Sequence, residues 1–133
     1  MKKILVIVLA LAIFACSKKP EGFQIDVKLT GAEGKILHEK RGSGEWIPVD
    51  TADVVEGVAV LEGKVDNPSD LYLSILGNRA KAILFVENAK MSVTGNADSL
   101  DKMVVTGSLT HNEYDALNKE INAVAEKYMA MYK

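Results

Sequence analysis

The 133-residue chain has one cysteine, Cys16, two histidines, three prolines, one tryptophan and three phenylalanines. Each scarcity excludes something. A single cysteine forms neither an internal disulfide framework nor a Cys-x-x-Cys pair, so stability has to come from packing and dithiol exchange is ruled out within these residues. His38 has only the distant His111 as a possible histidine partner and no ligand spacing, which gives no metal pattern and makes a structural or surface role the expectation for His38. Aromatic residues make up 6% of the chain, leaving the core to Val, Ile and Leu and favouring strands over a large aromatic cleft. The formal net charge of −2 offers no positive surface for a phosphate backbone, so nucleic acid is not an expected partner.

Long apolar runs are also scarce, and the one that exists sits at the start. Lys2 and Lys3 are followed by residues 4–15, all apolar, then by Cys16 and the charged or kinked Lys18, Lys19, Pro20 and Glu21. A spanning helix needs about 20 apolar residues, whereas the apolar region of a secretory signal spans roughly 7 to 15. The run therefore reads as an export signal. Its end, Ile13, Phe14, Ala15 and Cys16, resembles a bacterial lipobox: an aliphatic residue, a tolerant position, a small residue and cysteine. That resemblance implies cleavage before Cys16 and acylation of its thiol and new amino terminus. Two or three acyl chains hold a protein at a bilayer where one is marginal. The expected location is thus the cell envelope, with Cys16 anchoring the chain to a membrane facing the periplasm. Loss of Lys2 and Lys3 leaves 14 positive against 18 negative side chains, on a mature chain of single-domain size.

Residues 16–22 are short and polar and read as a tether. Beyond it Phe23, Ile25, Val27 and Leu29 alternate with Gln24, Asp26, Lys28 and Thr30, the period of a strand with one buried face. Residues 31–34 carry turn chemistry, which predicts a hairpin returning along residues 35–41. Residues 46–54 read as a third strand, with Pro48 indicating an edge or a bulge. Further strands follow at residues 58–65, around 71–76, 81–87, 90–95 and 103–106, with turns between them. Seven or eight short strands at this spacing predict a mainly β fold, an antiparallel sandwich over residues 23–109. Residues 96–101 hold two carboxylates but lack the alternating ligands of a calcium loop and read as solvated.

The period then changes. Thr110 and Glu113 form a capping-box pattern, and Tyr114, Leu117, Ile121, Val124, Tyr128 and Met131 recur at three and four residues, which predicts a helix over 110–133. Its seam is narrow, as wide as a coiled-coil contact. The expectation is that Tyr114, Leu117 and Ile121 pack on the sandwich and leave Tyr128 and Met131 for a protein partner.

Asp50 and Thr51, the run Gly57, Val58, Ala59, Val60, Leu61, Glu62 and Gly63, then Val65, Pro68, Val105, Thr106, Gly107, Ser108 and Tyr114 together resemble a domain of unknown function found in Bacteroidetes lipoproteins, commonly just before a thioredoxin-like domain of the TlpA or AhpC type. The resemblance implies a β-sandwich accessory domain in the periplasm, often associated with thiol-redox or peroxide-type enzymes. It brings no catalytic residue, and the family usually shows an aromatic where Ala59 or Val60 stands here.

Three classes of function follow. A non-catalytic, lipid-anchored interaction module fits every feature. A binding protein for a small apolar or peptide ligand would use Trp46 and Tyr72 near its mouth, although a tryptophan at a strand start more often covers apolar surface. For an enzyme the sequence supplies no nucleophile with a nearby base, no metal spacing and no phosphate loop, and no cofactor is implied.

Overall fold

The computed structural model describes residues 20–132. The apolar run and Cys16, the expected lipidation site, lie outside the described residues. Among the described residues eight strands form two four-stranded sheets. Sheet A has the order β4–β1–β7–β8, with β1 at Phe23–Thr30, β4 at Val58–Gly63, β7 at Lys90–Asn96 and β8 at Val104–Thr106. Sheet B has the order β3–β2–β5–β6, with β2 at Lys35–Arg41, β3 at Trp46–Asp53, β5 at Ser69–Ile75 and β6 at Lys81–Val86. A helix, α1, runs over Leu109–Met131. The mainly β sandwich with a C-terminal helix expected from the alternating runs is what forms.

The two sheets bury their facing side chains against each other. Ile25, Val27 and Leu29 of β1, Leu61 of β4 and Met91 and Val93 of β7 meet Ile36, Leu71, Leu73, Leu84 and Val86 of sheet B in one aliphatic core. The period-two pattern of β1 is realised as alternate burial along the strand. Fully burying such a side chain contributes roughly 1.5 to 3 kcal/mol, so this face dominates the stability of the domain.

Two details of topology differ from the sequence reading. The predicted hairpin of β1 and β2 does not exist, because β1 pairs with β4 and β7 whereas β2 pairs with β3 and β5. Ala32 is buried between the layers and its N–H donates to the carbonyl of Leu29, so residues 31–34 arch from one sheet to the other instead of folding flat. The pairing is also not antiparallel throughout. β1 and β7 are parallel, the crossover between them being supplied by strands of the other sheet rather than by a helix.

The expected edge and bulge at Pro48 are both present: β3 is the edge of sheet B, and its register with β2 shifts between His38 and Glu39, opposite Pro48. On β4, an edge strand of sheet A, Gly63 lies directly opposite Phe23, whose ring covers the glycine backbone so closely that an added Cβ would stand 2.6 Å from Cζ. The turn after β6 clamps the loop after β4, since Asn88 accepts from the N–H of Val65 at 3.0 Å and donates to its carbonyl at 2.7 Å.

Candidate functional site

The helix is joined to the sandwich by a collar of polar contacts on β6, the outer strand of sheet B. An edge strand presents unpaired backbone groups, and a folded protein has to cover them. Here the Ser108 hydroxyl donates to the carbonyl of Phe85 at 3.0 Å, and the N–H of Phe85 donates to Nδ1 of His111 at 3.2 Å. Ser108 is also the helix cap, accepting the N–H of His111 at 3.0 Å. The carboxylate of Glu87 accepts from the N–H groups of Leu109 and Thr110, placing negative charge at the positive end of the helix. The cap is therefore Ser108, two residues before the Thr110 of the expected capping box, and the box with Glu113 does not form. Ser108 and Thr110 both suit a cap, and packing chooses the one that also bonds Phe85.

Around this collar Ser108 and His111 are buried, and the Tyr114 ring packs 4.7 Å from that of Phe85. Burial pushes the His111 imidazole below its ordinary range, and Asp115, with an oxygen 3.5 Å from Nε2, pulls partly the other way. Gly107 makes the arrangement possible. Its φ is +90°, and an added Cβ would lie 2.3 Å from the Lys90 carbonyl oxygen, so any side chain would drive the helix off the sheet.

A second cluster lies on the outer face of sheet B. The alternation of β2 places Glu39 on this face opposite Tyr72, where its side chain is 7% exposed and accepts from the Ser74 hydroxyl at 2.6 Å and from the Lys81 ammonium. Burial pushes the Glu39 carboxyl up, but the bonds from Lys81 and Ser74 outweigh it and hold the group below its usual range. Lys81 Nζ sits 4.8 Å from the centre of the Trp46 ring and the Arg41 guanidinium 5.7 Å away. Trp46 in turn meets Tyr72 edge-on at 4.7 Å. The structure thus brings together Trp46 and Tyr72, the two residues singled out as ligand contacts, but the indole is already engaged by two cations. With both its partners in place, Glu39 locks β2 to β5 and β6. Sequence reading missed Glu39, Ser74 and Lys81, since the last two stand 35 and 42 residues from the first and only the sheet register unites them.

A cleft of about 180 Å³ opens between the sheets elsewhere, lined by Phe23, Leu71 and Val86 with His38, Asp50 and Glu62 beside them. Neither Trp46 nor Tyr72 lines it. His38 and Asp50 are cross-strand neighbours. Burial lowers the His38 pKa, helped by Lys40 and opposed by Asp50.

The far half of α1 has a different character. Leu117 is 55% exposed and Ile121 53%, so the expectation that they pack on the sandwich is overturned; docking ends with Tyr114, Asp115 and the half-buried Asn118. The collar consumes the first turns, and the axis it fixes carries later residues away from the sheet. From Lys119 onward every described helix residue is exposed, including Val124, Tyr128 and Met131, the last two being those singled out for a partner. The Tyr128 and Tyr132 rings lie tilted with centres 4.8 Å apart along this segment, and hydrogen bonding to Tyr132 raises the Tyr128 pKa.

A two-sheet sandwich with a helix pinned to one edge by a Gly-Ser turn defines the class of domain. The family model of the domain of unknown function DUF4369 matches residues 23–114, and the chain belongs to that family. The match runs from the first core residue of β1 to Tyr114, the tyrosine stacked on Phe85. No curated protein and no solved structure matches the chain.

Proposed function

We propose that this chain is a non-catalytic accessory module, anchored by lipid on Cys16 to a membrane facing the periplasm, which works by protein contact through the exposed part of α1. The observation that carries the reading is the helix beyond Asn118: it is bare on every side yet keeps Ile121, Val124, Tyr128 and Met131 on one stripe. An isolated helix of this length is marginal in water, so a stripe of this kind is stabilised when something covers it. The resemblance to lipoproteins that precede thioredoxin-like domains supplies thiol-redox proteins as the class of neighbour such a module serves. The single thiol, spent on lipid in this reading, leaves the exchange chemistry to that neighbour.

The anchor is tested by fractionation and intact mass. Wild-type protein is expected in the detergent-extractable membrane fraction with the mass of an acylated chain beginning at Cys16. Cys16→Ala should appear as a soluble or unprocessed form. Membrane retention with unchanged mass in the variant would refute the anchor.

A second reading, a binding protein for a small apolar or peptide ligand, is supported by the cleft beside Phe23 and His38 rather than by Trp46 and Tyr72. Its decisive measurement is mass spectrometry of small molecules released from the purified protein.

A further inference from the structure

The bare segment of α1 spaces Leu117, Ile121, Val124, Tyr128 and Met131 alternately four and three residues apart, the seam of a two-stranded coiled coil. With Ile121 and Tyr128 at a and Leu117, Val124 and Met131 at d, Glu120 and Lys127 occupy successive g positions. Neither has an opposite charge three or four residues away along its own helix. The ion pairs among the described residues involve other groups. The e positions on the other flank, Asn118 and Ala125, are uncharged.

We infer that the occupant of this seam is a second copy of the chain, running antiparallel about a two-fold axis midway between Ile121 and Val124. This deepens the reading above and rests on its premise that the bare helix is a contact surface, though not on lipidation of Cys16. Under that axis Ile121 packs on Val124 of the second copy and Leu117 on its Tyr128. Met131 reaches the Tyr114 already seated on Phe85. In an antiparallel pair the g flanks face each other, so Glu120 meets Lys127 of the second copy, and the symmetry makes the contact twice. A parallel pair would set Glu120 beside Ala125 and Lys127 beside Tyr132, leaving both charges without complement. The charges are therefore complementary to themselves under one symmetry operation, the mark of a two-fold contact between like chains. Room for the second helix exists from Lys119 on, where α1 is exposed on all sides, and at Leu117, which is itself exposed; only the contact at Tyr114 falls beside the sandwich.

The test is sedimentation of the full chain extracted in mild detergent, with Glu120→Lys, Lys127→Glu and the two combined. Each single exchange turns two attractive pairs into two repulsive ones and is expected to weaken self-association roughly tenfold, at the few tenths of a kcal/mol typical of exposed pairs. The combined variant restores complementarity and should return to within about threefold of wild type by the same reckoning. Ile121→Asp should abolish the pair while leaving the melting temperature of the sandwich unchanged. A wild-type chain that stays monomeric at about 100 μM, where a micromolar pair would form, overturns the inference. So does a dimer indifferent to the charge exchanges. If the chain is monomeric yet loses a co-purifying protein on Ile121→Asp, the inference fails and the accessory-module reading stands. If the charge exchange rescues pairing while Cys16→Ala leaves membrane attachment intact, the anchor fails and the inference stands.

Discussion

Replacing His111 by alanine tests how the helix is held. The imidazole accepts the N–H of Phe85 on an edge strand and is itself buried, so the substitution strands a backbone donor with no neighbouring acceptor. The Phe85 donor is part-buried, so losing its acceptor costs about 1 kcal/mol, the low end of the range for an orphaned donor, and lost packing of the buried ring beside Tyr114, whose centre lies 5.7 Å away, adds to it. A total of about 2 kcal/mol should lower the melting temperature of a sandwich of this size by roughly 10 °C, followed by circular dichroism at the sheet band. His111→Asn keeps an acceptor near the position of Nδ1 and should recover most of the loss. The pH dependence tells a retained acceptor from mere refilling of the space. Because the folded-state pKa of His111 is lowered from its ordinary 6.5, the unfolded chain binds more protons between the two values, and stability falls as pH drops below about 6.5 until the folded imidazole is also charged. Protonation at Nδ1 turns an acceptor into a donor facing the Phe85 N–H. His38, also lowered, contributes a slope of the same sign. His111→Asn should therefore reduce, without abolishing, the loss of stability between pH 7 and 5. An alanine variant within about 0.5 kcal/mol of wild type, the spread of ordinary surface substitutions, would refute the account, as would an asparagine variant with an undiminished pH slope.

Gly107→Ala is expected to be among the most damaging single changes in the domain, beyond about 3 kcal/mol, because it combines a positive φ with a clash against the Lys90 carbonyl; urea unfolding measures it, and a loss below about 1 kcal/mol would show that the turn can relax. Tyr114→Ala should lower the melting temperature through loss of its stacking on Phe85, whereas Leu117→Asp, at an exposed position, should leave it nearly unchanged. Equal destabilisation by both would place Leu117 against the sandwich after all.

Much of the fold was legible because it depends on local pattern. The alternation of Phe23, Ile25, Val27 and Leu29 specifies which face of β1 is buried whatever its neighbours are. Pro48, without an N–H to give, marks an edge or a bulge in a sheet it joins. What did not follow from pattern is pairing. Residues 31–34 contain turn residues compatible with a hairpin, and only the burial of Ala32 between two layers turns them into an arch. The helix boundary failed for a similar reason, since Ser108 and Thr110 are equally good caps in isolation and the Phe85 backbone decides between them. The polar network of Glu39, Ser74 and Lys81 was invisible because the sheet register, not the sequence, makes its members neighbours. The docking of Leu117 and Ile121 was misjudged because a three-four stripe states that a face is apolar without stating what covers it.

That last ambiguity bears on function. The residues that carry the family resemblance turn out to be occupied with architecture: Gly63 lies under Phe23, Val65 is clamped by Asn88, Gly107 abuts Lys90, Ser108 caps the helix and Tyr114 stacks on Phe85. What they build is a rigid mount that fixes the first turns of a helix to the edge of a sandwich. A mount of this kind gains nothing from its own stability unless the mounted part is used, and the part it holds out is the stripe from Leu117 to Met131. If that stripe is the contact surface we propose, the glutamate and lysine flanking it, Glu120 and Lys127, select what it can meet.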